Sequence, residues 1–323
     1  MKHLAYILLA VLIGFTSCSK DEDALIPSDK PLFPPREITE LDKQIIELFK
    51  GYNLRVEYKY IENLLPKDWY YITPPKEDIV LPICKMLHEA WLTPMVNGSN
   101  KEFVRKTFPK QIVLVGSTAK QKDGTVVLGQ AEGGTLIRFT EANSFTETNV
   151  EWMRKQLHTA YHEYCHILHQ TFILPDEYRE ITPDNYTRTG WRIVKLKDAI
   201  AKGMVTPYAT SNTSEDFVEM FSCYITYPQS NWDYRIKDEK LPKDLVELIP
   251  EKDRKADEDE LQAQIEEAIL ALSKRNEGRS FIRKKFQTLE KFMVKQGVDM
   301  HKIREEVQKY LAAAAAKKPV PAP

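Results

Sequence analysis

Twenty-two consecutive residues, Glu151 to Phe172, contain neither proline nor glycine, and Pro175 follows close behind. Such a run predicts one long α-helix. Its sequence, EWMRKQLHTAYHEYCHILHQTF, carries four of the chain's seven histidines: His158, His162, His166 and His169. Residues four apart in a helix share a face, about 6 Å apart along the axis. His162 and His166 can therefore aim two imidazoles at one tetrahedral zinc ion. His158 is in phase with them, but its Cα lies about 12 Å from that of His166, so three histidines of one straight helix do not reach one ion. The cluster must divide into ligands and neighbours.

Glu163 decides the division. HEYCH (162–166) has the H-E-x-x-H pattern of zinc hydrolases. Zinc brings the pKa of a bound water toward neutrality, and a carboxylate beside it takes the proton. The other pair, His158 and His162, encloses Thr159 and offers no base. His158 and His169 are expected to support or pack against the ligands, and Cys165 to be a small buried residue facing away. The plain alternative is a solvated helix face rich in histidine.

A catalytic zinc takes three protein ligands and keeps an open position. One arrangement puts a third histidine six residues after the second, behind a glycine; here those positions hold His169 and Phe172. Another puts a glutamate on a later helix, and EDFVEMF (215–221) supplies Glu215, Asp216 and Glu219 on an amphipathic pattern, with Glu215 and Glu219 on one face. Taken alone, such a pair is most often a solvated edge. After a zinc helix it becomes the candidate.

The longer run YATSNTSEDFVEMF (208–221) resembles the second metal segment of anthrax lethal factor and its glutamate-zincin relatives. That resemblance covers two segments within residues 158–221. It implies Glu215 as third ligand of a single Zn2+ ion, Tyr208 as the phenol that stabilises the tetrahedral intermediate, and Glu219 as support for a zinc-bound histidine.

At the N-terminus, Met1-Lys2-His3 is followed by the short apolar run Leu4 to Phe15 and by Thr16-Ser17-Cys18. The run is too short to span a bilayer and reads as a secretory signal. The region resembles a bacterial lipoprotein signal, which implies that residues 1–17 are removed and that Cys18 carries lipid. Ser-Lys-Asp-Glu-Asp (19–23) resembles the signal that sends Bacteroidetes lipoproteins to the outer face of the outer membrane. Residues 18–39, polar and rich in proline, are the expected tether. Residues 40–311 are the expected catalytic domain, and 312–323 a low-complexity tail.

Within that domain the patterns predict a helix from Glu40 to Gly51, a strand over 54–60, and a helix over 79–92 with Pro82 in its first turn. Further strands are predicted at 111–117, 125–128 and 135–140, the last as the sheet edge on which an extended substrate lies. Helices follow at 151–172, 191–201, 214–227, 241–272 and 280–311. A mixed sheet followed by a helical half is an α+β fold, and the zinc segments imply its zincin-like version. Cys84, Cys165 and Cys223 are too few and too scattered for a disulfide framework.

Charge is balanced at 46 basic and 47 acidic residues, so the footprint of a nucleic-acid binder is missing. The whole pattern resembles the zinc metallohydrolase lipoproteins of Bacteroidetes associated with outer-membrane nutrient import. The expected activity is hydrolysis of a peptide or protein substrate, with Glu163 as base. The rival expectation is a lipid-anchored capture protein that serves an importer without cutting.

Overall fold

Short β-branched and apolar runs set the sheet. The computed structural model describes residues 37–120, 126–127, 129–132 and 135–317. The signal, Cys18, most of the tether, Gly133-Gly134 and the end of the tail lie outside the described residues. Strands β1 (Arg55–Glu57), β2 (Gln111–Leu114), β5 (Gly129–Glu132) and β6 (Leu136–Phe139) form one four-stranded sheet in the order β1-β2-β6-β5. β1, β2 and β6 are parallel, whereas β5 returns antiparallel along β6, pairing Gly129 with Phe139 and Glu132 with Leu136. The small strands β3 (Ala119–Lys120) and β4 (Val126–Val127) pair with each other.

The expected edge strand 135–140 is therefore an interior strand. After β4 the chain adds β5 on the outer side of β6, and among the described residues β5 is the edge.

The helices are α1 (Glu40–Leu48), α2 (Glu77–Leu87), α3 (Thr93–Asn97), α4 (Lys101–Thr107), α5 (Val150–Phe172), α6 (Asp176–Glu180), α7 (Leu196–Ala201), α8 (Thr213–Thr226), α9 (Gln229–Ile236), α10 (Glu258–Lys295) and α11 (Met300–Ala316). From Glu40 onward the described residues form one compact unit with an α+β architecture and a helical C-terminal half. α2 begins earlier than the pattern suggests, so Pro82 falls inside it rather than in the first turn. A π turn at His88–Leu92 then joins α2 to α3.

Helix α5 has Asn149 as its cap, whose side chain accepts from Trp152 N at 3.1 Å. One face is pure core: Leu157, Ala160, Tyr161, Tyr164, Cys165 and Leu168 are all buried. Tyr161 OH donates to Ala90 O at 3.0 Å, in the π turn, and Tyr164 OH shares a 2.6 Å hydrogen bond with Thr107 Oγ1. Trp91 meets Tyr164 edge-on at 6.2 Å and Phe108 at 4.3 Å. The three cysteines among the described residues, Cys84, Cys165 and Cys223, are free and buried, and burial pushes the Cys84 thiol up to about 12.

The expected break between two C-terminal helices near 272–280 is absent. Residues 241–257 are loop and 3-10 turns, α10 then runs unbroken for 38 residues, and the break comes at Gly297, where φ is +74°. Gly278, inside the expected gap, lets α10 approach α7, because a Cβ there would lie 1.8 Å from Ile200 O. Gly278→Ala is expected to lower stability by about 3 kcal/mol through overpacking, read as a shift of the urea midpoint at constant slope.

Candidate metal centre

The outward face of α5 meets α8, whose start is fixed by Asn212. Its side chain accepts from Ser214 N at 2.9 Å and Glu215 N at 3.1 Å, which sets Glu215 in the first turn. The Glu215 carboxylate then faces α5. Its Oε2 lies 3.2 Å from His162 Nε2 and 3.3 Å from His166 Nε2, and the two imidazole rings stand 4.9 Å apart. The three donor atoms all fall within 4.8 Å of one another.

The far nitrogen of each histidine is occupied. His162 Nδ1 is 2.8 Å from Glu219 Oε1, and His166 Nδ1 is 3.0 Å from His169 Nε2. Burial, with the neighbouring His166, lowers His169 to about 4, so it is neutral and can accept the His166 proton. Both Nδ1 atoms thus act as donors and both Nε2 atoms face the space beside Glu215.

Glu219 is 4% exposed, and its carboxylate is filled by neighbours. Oε1 receives His162 and, at 2.9 Å, His158 Nε2; Oε2 receives Thr206 Oγ1 at 2.6 Å. His158, Glu219 and Cys223 form a second group with metal-binding atoms in proximity. The hydrogen bonding separates the two groups. Glu219 has both oxygens satisfied by protein donors, while Glu215 Oε2 is buried with no aligned hydrogen-bond donor despite the two imidazoles beside it. A carboxylate oxygen and two imidazole nitrogens facing one space, with the proton on His162 Nε2 to be given up on binding, are the donor set of a zinc site with an open side, and the residues fit that ion.

The charges agree. Burial lowers His162, but Glu215 and Glu219 outweigh it and raise its pKa to about 10. Burial raises Glu215, but His162 and His166 pull it down to about 2.

Tyr208 opens a 3-10 turn ahead of α8, and its ring stacks 5.9 Å from His162. Burial and the charges of Glu215 and Glu163 raise the phenol above its usual range, so it remains a hydrogen-bond donor at neutral pH. Glu163 is half-buried, and its charge acts on both His162 and Tyr208. Cys165 is fully buried on the core side.

The structure thus brings His162, His166 and Glu215 to one point, Glu219 and His169 behind the two histidines, and Tyr208 and Glu163 beside them. Asp216, the adjacent acid, is turned away and fully buried. Two residues escape the sequence reading. Thr206 holds Glu219, and Trp191 packs edge-on against Tyr208 at 4.8 Å. Thr206 precedes Tyr208 by two positions in TPYAT but belongs to no recognisable motif. Trp191 lies in the 3-10 helix Arg188–Ile193, which starts at Thr187, whose N donates to Thr210 O at 2.6 Å.

Residues 35–300 match a protein family described as "Putative zinc-binding metallo-peptidase". The fold is similar to the crystal structure of a putative zinc-binding metallo-peptidase from Bacteroides caccae, with 26% identity and a TM-score of 0.63 over 85% of this chain and 92% of that one. No curated protein matches the chain.

Two outcomes follow for metal uptake. Zinc added to the metal-free protein at pH 7 should release about one proton, because His162 must give up its own. Apparent affinity then rises with pH up to about 10, the His162 value. Calorimetry in buffers of different ionisation enthalpy reads this directly, and heats that do not depend on buffer would exclude a protonated His162. Glu219→Ala should weaken zinc about 10- to 100-fold, and Glu215→Ala by more, measured by chelator competition.

Proposed function

The chain belongs to the putative zinc-binding metallo-peptidase family, and on that premise we propose that it is a zinc-dependent metallopeptidase of the glutamate-zincin type, with Glu163 as general base. The observation that carries this reading is the convergence of His162 Nε2, His166 Nε2 and a Glu215 oxygen that has no aligned donor, with both Nδ1 atoms already engaged. Zinc bound there supplies Lewis acidity and a water acidic enough to ionise near neutral pH.

The protein's own residues do the rest. Glu163 follows His162 directly and sits where its charge is felt by both His162 and Tyr208, so it can take a proton from water and deliver it to the leaving nitrogen. Tyr208, kept protonated by burial and by the surrounding carboxylates, donates to the oxyanion that develops on the scissile carbonyl. Glu219 and His169 hold the two imidazoles in place while this happens. An extended peptide can add along β5, the edge of the sheet beside β6 among the described residues, which runs antiparallel to β6.

The reading extends to location. The Leu4 to Cys18 signal and the acidic SKDED stretch support an exported protein, tethered by lipid on Cys18 and facing outward from the outer membrane. No helix among the described residues is long and apolar enough to cross a membrane. A peptidase in that position would supply short peptides to an outer-membrane import complex, the partner implied by the resemblance to nutrient-import lipoproteins.

Glu163→Gln should retain stoichiometric zinc and lose peptide hydrolysis by about 10²-fold or more. Tyr208→Phe should also retain zinc and lose kcat by about 10²- to 10³-fold. Digests of an unbiased peptide library, with zinc content measured in parallel, compare both variants with wild type. Full turnover in Glu163→Gln removes Glu163 as base, and cleavage by no form turns the reading toward capture without hydrolysis.

A further inference from the structure

The long helix α10 contributes no residue to the centre described above, yet it buries a cation beside it. Lys285 is 0% exposed. Its ammonium donates to Asp216 Oδ2 at 2.6 Å and to the Gly203 carbonyl at 2.9 Å. Tyr186 OH donates to the same Asp216 oxygen at 3.0 Å. The rings of Tyr178 and Tyr186 flank the ammonium at 5.8 and 5.7 Å.

These contacts gather three segments that each carry a part of the centre. Asp216 adjoins Glu215 in the first turn of α8. Gly203 starts the stretch that runs through Thr206, which holds Glu219, to Tyr208; its φ of +82° aims its carbonyl in a way few other residues allow. Tyr186 precedes Thr187, which is hydrogen-bonded to Thr210 beside the Tyr208 turn, and leads to Trp191 against the Tyr208 ring.

A buried ion pair adds little stability over apolar residues of the same volume, because both charges must leave water. What it adds is direction. An ammonium in the interior must point its protons at particular oxygens, and here those oxygens belong to separate segments of the site. On the zinc reading above, we propose that Lys285 is a positioning residue for the metal centre, holding the segment that ends in Tyr208 in register with the helix turn that presents Glu215.

The test is zinc affinity, measured by competition with a chromophoric chelator, alongside the melting temperature. Three variants are compared with wild type: Lys285→Met, the apolar pair Lys285→Met/Asp216→Leu, and Leu289→Ala. Leu289 is buried one turn further along α10 and makes none of these hydrogen bonds. Both Lys285 variants should lose zinc affinity about 10- to 100-fold, the usual cost of removing a partner that orients ligands. Leu289→Ala should melt earlier yet hold zinc like wild type. The apolar pair leaves no lone charge in the interior, so it gives a folded protein where the single variant does not. Wild-type zinc affinity in the apolar pair overturns the proposal, as does an equal loss in Leu289→Ala. A wild-type protein that takes up no zinc overturns the metal reading itself and leaves Lys285 nothing to position.

Discussion

Everything at the centre depends on one carboxylate buried between two helices. Taking a charge out of water costs about several kcal/mol unless partners replace the lost hydration, and Glu219 meets that demand with three donors: His158, His162 and Thr206. In satisfying Glu219, His162 commits its Nδ1 proton and leaves Nε2 directed at Glu215. The solution of a desolvation problem is thus also the orientation of a metal ligand. His166 is oriented differently, by His169, an imidazole that burial keeps neutral. One ligand is backed by a charge and the other by a dipole, and at His162 the carboxylates of Glu215 and Glu219 outweigh burial and raise its pKa.

That arrangement works only if α5 and α8 do not shift against each other. The core side of α5 supplies the restraint. Tyr161 and Tyr164 are completely buried, and each spends its hydroxyl on a specific partner, Ala90 O or Thr107. On α8, Phe217, Val218, Met220 and Phe221 are buried around the same turn as Glu219. Both helices therefore present polar residues to each other along a single stripe and apolar residues elsewhere. A half-turn rotation of either would bury carboxylates without donors.

This division explains what could be read in advance. The long helix was legible because periodicity and the lack of breakers are local properties, and so was HEYCH, whose spacing states its own geometry. Glu215 and Glu219 became candidates only because a zinc helix precedes them, and their separate roles came only from resemblance, since a lone pattern of acids on a helix equally describes a solvated edge. The order of the strands was not legible. Whether β6 ends the sheet depends on where the chain goes after β4, which no periodicity in residues 135–140 records. Nor was the position of the C-terminal break: Gly278, within the expected gap, permits close packing inside an unbroken helix, whereas Gly297 takes the positive φ that ends it. Lys285 was concealed within Arg283-Lys284-Lys285, which resembles any charged helix surface.

A signal for Lys285 was nevertheless present. Gly278, Ile282, Lys285 and Leu289 fall at i, i+4, i+7 and i+11, the spacing of one buried stripe, and all four are buried. A lysine on that stripe has to find an acceptor in the interior. Gly278 makes one reachable, because its missing Cβ lets α10 come against the Ile200 carbonyl, and two turns later the helix is close enough for Lys285 to reach Gly203 O. The same close approach brings the ammonium to Asp216. The glycine and the lysine are thus two ends of one device. The first sets how near α10 lies, and the second turns that nearness into a directed contact with the segment that bears Glu215.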